Sequence, residues 1–128
     1  DRPPAKLEAL GAIDIAGDID GDRDVSGVAF AHDFLLLVSN ESGRVEVLRK
    51  RDGGFKVIDP VPLEKRPPGA KERHLDLEAV AADGDVVYAV GSHSRKKAGD
   101  DAPHRDGLFR FTLAADGAAG TVERTSLR

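Results

Sequence analysis

The stretch Asp76–Phe111, DLEAVAADGDVVYAVGSHSRKKAGDDAPHRDGLFRF, decides the fold, because the chain carries an earlier version of it. Moved back by 52 positions, Asp76–His93 lies over Asp24–Glu41 without a gap. Asp24 meets Asp76, Val28 meets Val80, Ala29 meets Ala81, Asp33 meets Asp85, Leu35 meets Val87 and Val38 meets Val90. Beyond that point the match jumps by 12: Gly43 meets Gly107, Val45 meets Phe109, Val47 meets Phe111, and the Asp52-Gly53 turn meets Asp116-Gly117. Each copy breaks into short runs of Val, Leu and Phe separated by turn residues.

A repeat of this length with four short strands per unit predicts β-propeller blades. The fold class expected is therefore all-β: a partial β-propeller of two four-stranded antiparallel blades. Apolar spacing of three and four residues is nowhere sustained, so no helix longer than about two turns is expected. A lead-in with a closing strand occupies residues 1–24, blade one 25–62, a crossing segment 63–76 and blade two 77–128. Two blades cannot close a ring that needs at least about four. The remaining blades are therefore expected as partners, in a longer chain or a second chain.

Blade one is read as Val25–Phe30, Phe34–Ser39, Arg44–Arg49 and Phe55–Ile58, with turns at His32-Asp33, Ser42-Gly43 and Asp52–Gly54. Asp59–Gly69, with Pro60, Pro62, Pro67 and Pro68, is expected to leave the sheet ladder, since proline cannot donate to it. Blade two is read as Leu77–Ala82, Val86–Gly91, Leu108–Leu113 and Thr121–Arg124. Lys6–Ile15 alternates as a strand, weakened by Gly11, and would complete the last blade of a ring.

Composition narrows the function classes. The chain has 128 residues, 40% hydrophobic and 33% charged, which reads as one soluble globular domain. Its net charge of −4 gives no general reason to expect nucleic acid. No apolar run approaches the ~20 residues of a membrane span, and nothing at the start reads as a signal peptide. There is no Cys, hence no disulfide or thiolate metal site, and the compartment stays open. The chain also has no Met, so it reads as trimmed or excised from something longer.

Blade geometry converts strand order into a site. Alternate strand ends share a side, so the start of each first strand and the loop joining strands two and three open together. That side collects Asp24, Ser26, Asn40, Glu41, His74, Asp76, Glu78, His93, Arg95, Lys96, Lys97, His104 and Arg105. The ligand-binding candidates among them are Asp76, Glu78, His93, Arg95, Lys97, His104, Arg105 and Glu41. In blade two the loop from Ser92 to Asp106 replaces the short Asn40–Gly43, and long loops on rigid scaffolds are where recognition concentrates. Basic and acidic groups together suit a small anionic ligand, with a cation between them. The bland alternative is that Glu78 pins the loop through Arg95 or Arg105.

The acidic run GDIDGDRD offers Asp18, Asp20, Asp22 and Asp24 at every second position, a candidate calcium site against the alternative of a solvated turn. From Asp22, the run DRDVSGVAFAHD has EF-hand spacing, with Gly27 sixth and Asp33 twelfth, but no helix flanks it. From Asp18 it is similar to the calcium loops of integrin-type propellers, with Arg23 where Gly is wanted and Ser26 where the last Asp belongs. Ser26, Ser39 and Ser92 lie in no GxSxG context, so a serine nucleophile has no motif.

DLEAVA and the run to LFRF also resemble a bacterial family, domain of unknown function 3616. Asp76, Glu78, Gly91, Ser92, His93, Arg95, Lys97, Gly99, Pro103, Arg105, Leu108 and Phe109 carry the likeness, and DVSGVAF with LVSNESGRVEVLR is similar to its earlier blade. A Gly-Leu-Arg-Gly-Pro motif expected further on is missing here. The resemblance implies a propeller-like fold and no established activity. Two function classes follow: a ligand- or protein-binding scaffold, and a calcium-dependent hydrolase acting on a phosphorylated or ester substrate.

Overall fold

The computed structural model describes residues 12–20, 24–94 and 102–127. The described chain is all-β, with no α-helix and a single 3-10 turn, Pro103–Arg105. The strands are β1 (Asp14–Ala16), β2 (Val25–Ala31), β3 (Phe34–Ser39), β4 (Arg44–Arg51), β5 (Gly54–Val57), β6 (Val61–Pro62), β7 (Leu77–Asp83), β8 (Val86–Gly91), β9 (Gly107–Thr112) and β10 (Glu123–Ser126). No helix among the described residues is long and apolar enough to cross a membrane.

Two sheets form. The second, ordered β10-β9-β8-β7, is a four-stranded antiparallel meander. The first contains the matching meander, ordered β5-β4-β3-β2. It also gains two strands that the blade pattern does not contain. Asp14–Ala16 runs parallel along β5, so the described end of the lead-in strand joins the first sheet at its outer edge. The part of Lys6–Ile15 up to Gly11 lies outside the described residues. The proline-rich crossing also departs from expectation. Val61–Pro62 pairs with Arg44–Val45, because a proline is tolerated at a sheet edge, where its missing N–H faces away from the ladder.

The 52-residue repeat extends to fine detail. Each first strand carries a bulge near its start, between Val25 and Gly27 in one copy and between Leu77 and Ala79 in the other. The amide N–H of Asn40 donates to the Asp24 carbonyl at 3.4 Å, and that of Ser92 donates to Asp76 at 2.9 Å. The third strand requires a correction. Leu35 pairs with Leu48 and its counterpart Val87 pairs with Phe111, so Leu48 answers to Phe111 at an offset of 63. The sequence match of Val45 with Phe109 and Val47 with Phe111 is one residue out. A one-residue slip exchanges the faces of a strand. Val45 and Val47 accordingly face the second sheet, whereas Glu46 and Leu48 face away from it.

The core lies between the sheets. Phe34, Leu36, Val38, Val45 and Val47 pack against Leu77, Val80, Val87, Phe109 and Phe111, all of them buried. At about 25 cal/mol per Å² of apolar surface, burial of each such side chain is worth about 1.5–3 kcal/mol. The sheets approach closely along their first strands. A Cβ on Gly27 would stand 3.1 Å from the Ala79 Cα and the Val80 nitrogen. The Ser26 hydroxyl donates across this seam to the Leu77 carbonyl. On the far side of sheet one, Leu35, Leu37 and Leu48 form a smaller cluster with Ile19, Phe55 and Val57.

Candidate functional site

The starts of β2, β4, β7 and β9 and the ends of β3 and β8 lie at one edge of the two sheets, as their antiparallel order requires. At that edge of sheet two the structure brings together Asp76, Ser92, His93, Ser94 and Arg105. Asp76 Oδ2 accepts from the hydroxyls of both Ser92 and Ser94, the latter at 2.8 Å. Arg105 Nη1 donates to Ser94 Oγ at 3.0 Å, so a hydroxyl joins the guanidinium to the carboxylate. The His93 amide donates to the Arg105 carbonyl at 3.0 Å. These bonds tie the two feet of the long loop together.

Two of these residues hold an unusual backbone. Asp76 has φ 51° and His93 has φ 62°, in the left-handed region that costs a non-glycine residue of order 1 kcal/mol or more. Such strain persists only where surrounding bonds over-determine it. Here the ties at Ser92, Ser94 and Arg105 do so. The His93 side chain is half-buried, and its Nε2 is buried without a hydrogen-bond partner among the described residues. Asn40 Oδ1, at the corresponding end of sheet one, is in the same condition. A buried polar atom left unpaired costs about 1–3 kcal/mol.

The other candidates fall out differently. Glu78 is exposed at the bulge of β7; among the described residues the carboxylate bonded to the feet of the loop is Asp76, two positions earlier, and Arg95, the other partner expected for Glu78, lies outside them. Glu41 is exposed on its turn, with its amide donating to Ser39 Oγ at 3.1 Å. His104 is half-buried on the 3-10 turn beside Arg105, and His74 is exposed. Arg95, Lys96 and Lys97 lie outside the described residues, as does Asp22. Asp18 is exposed and Asp24 is half-buried. Asp20 lies 3.9 Å from the Arg44 guanidinium. Among the described residues, no group of three or more His, Asp or Glu side chains is placed to hold a metal ion.

Sequence reasoning missed two charged groups. In the first, Arg44 stands 3.2 Å from Glu72 and 3.9 Å from Glu46. Glu46 is 3% exposed, because its position on β4 turns it towards the Leu35, Leu37 and Leu48 side of the sheet. Burial pushes its carboxyl above the ordinary glutamate value, although it accepts the Asp20 amide and faces Arg44. The signal was the alternation in RVEVLRKR, which sets Glu46 in step with Leu48. The second group is the basic run Arg49, Lys50 and Arg51, lining a cleft at the opposite edge with Asp33, Phe34, Asp52 and Ala115.

The direction at Glu46 has a testable consequence. A carboxyl whose pKa is raised by folding destabilises the fold while ionised, and this penalty disappears as pH falls through the raised value. Glu64 has the opposite sign. Its hydrogen bond to Arg73 holds it below the ordinary range, so its contribution is present at neutral pH and is lost as pH falls through the lowered value. Glu46→Gln keeps an acceptor for the Asp20 amide. It is expected to melt above wild type at pH 7.5, with the gap closing by pH 4.5; an unchanged gap across that range would refute the assignment.

Compared with known proteins, the chain matches no family model, no curated protein and no solved structure.

Proposed function

We propose that this chain is part of a propeller-type binding scaffold whose loop-bearing edge recognises a small anionic ligand. The observation that carries the reading is the His93 side chain, whose Nε2 is buried and unpaired among the described residues at the edge that also holds the Arg105–Ser94–Asp76 chain of hydrogen bonds. An N–H at Nε2 lacks an acceptor among the described residues, and an anion supplies one. The Asp76 carboxylate is already satisfied by two hydroxyls, which lessens its repulsion of such a ligand. The propeller reading is supported by the repeated bulge, the repeated capping bond and the close seam between first strands. For the calcium-dependent hydrolase reading, Asp20 already faces Arg44 and Asp18 is exposed. That reading has no observation of its own.

The test is titration of the whole chain with inorganic phosphate, followed by the ring resonances of His93 in wild type and by the backbone amides of Ser94 and Arg105 in wild type and in His93→Ala. Wild type is expected to show a saturable shift that is absent from His93→Ala. The variant's circular dichroism should match that of wild type, so that a lost response is not lost folding. If the His93 resonances do not respond to phosphate, this edge is not an anion site.

A further inference from the structure

We infer that this chain associates with a second copy of itself head to tail, the outer face of sheet two in one copy receiving the outer face of sheet one in the next. The inference is independent of the anion reading. It follows from which faces the repeat has used and which it has left. Inside the chain, the junction sets the small Gly27 and Ala29 of β2 against Val80 and Ala82 of β7. The 52-residue offset carries Gly27 and Ala29 onto Ala79 and Ala81, both exposed on the outer face of sheet two. The same offset carries Val80 and Ala82 back onto Val28 and Phe30, which are 59% and 66% exposed on the outer face of sheet one. One molecule therefore ends in the two complementary halves of the junction at its centre.

Continuity with that internal junction says what covers them. Around Ala79 and Ala81 lie Tyr88, Val90 and Leu108, an apolar depression in the outer face of sheet two. On sheet one Ile19 packs over Leu35 and Leu37, so the exposed apolar ridge is Val28 and Phe30, with the Phe30 ring 6.5 Å from that of Phe55. The bulges repeat at both faces, but the bond across the seam does not, because a carboxylate cannot donate to a carbonyl. Ser26 bridges the internal seam to Leu77, and its repeat counterpart Glu78 stands exposed beside the face left open. A contact between unlike faces is heterologous, and its repetition closes a ring or runs on as a filament.

Sedimentation velocity on the whole chain, from low to high micromolar, reads the outcome. Wild type is expected to show concentration-dependent species larger than a monomer. Phe30→Arg and Ala81→Arg place the same charge on opposite halves of the contact, at exposed positions that leave the core intact. Each variant alone is expected to be monomeric. Mixed in equal amounts they retain one good junction and should stop at a dimer. Val28→Arg and Ala79→Arg form a second pair, should either first substitution disturb the circular dichroism. Loss of assembly in only one variant of each pair would indicate a like-face contact and overturn the proposal. So would large species that neither substitution reduces. A monomeric wild type across the whole range overturns it too.

Discussion

Gly91→Ala is expected to cost the fold about 3 kcal/mol, the upper end of what overpacking a well-filled site exacts. A Cβ at this position would stand 2.2 Å from the Arg105 carbonyl oxygen and 3.0 Å from that of Leu75. Both obstacles are backbone, so no side-chain rotation relieves them. The Arg105 carbonyl is also the acceptor for the His93 amide, so displacing it breaks the tie between the two feet of the loop. Gly84→Ala is the control. Gly84 has φ 61° with nothing within 4 Å of its Cβ position, so its cost is conformational and about 1 kcal/mol. Equilibrium urea unfolding of both variants decides the matter. Equal losses at the two positions would mean that Arg105 does not pack on Gly91 as described.

Asp76→Ala carries the second large effect, about 2–3 kcal/mol. Two hydroxyls lose their shared acceptor, and a side chain without local hydrogen bonding is forced into the left-handed region at φ 51°. Asp76→Gly separates the two contributions, because glycine relieves the backbone cost and restores neither bond. Asp76→Asn should lose least, keeping one acceptor oxygen. The ordering expected from urea midpoints is wild type, Asn, Gly, Ala. If Ala equals Asn, the Ser92 and Ser94 bonds to Asp76 contribute little.

Most strands of both sheets were legible because they are short runs rich in Val, Leu and Phe bounded by Asp, Gly or Ser, whereas β10, Glu-Arg-Thr-Ser, has none of these and lies two residues beyond the expected Thr121–Arg124. The register of β4 was not legible. Val45, Val47 and Leu48 make both faces of that strand apolar, so parity could not choose between offsets of 64 and 63, and the Gly43–Gly107 match pointed to the wrong one. Prolines flagged Asp59–Gly69 as leaving the ladder, yet Val61–Pro62 still finds an edge, because proline forbids donation and not acceptance. At the site, strand order alone gathered Asp76, His93 and Arg105 at one edge. It could not show that Ser92 and Ser94 bind the carboxylate, since hydroxyls carry no charge pattern to read. Glu78 looked equivalent to Asp76, and only the bulge at the start of β7 shows why it turns outwards.

The parallel pairing of β1 with β5 has a kinetic consequence. All three residues of β1 are exposed, so the strand is held mainly by its ladder to Gly54–Lys56 across a long loop in sequence. Such an element docks only after the β4–β5 hairpin exists, and it opens without unfolding the two meanders. Its departure would lift Ile19 from Leu35 and Leu37 and let water reach the Glu46 carboxyl. Amide hydrogen exchange should therefore resolve two cooperative units, with the amides of Asp14–Ala16 and Asp20 exchanging together and well before those of β3 and β8.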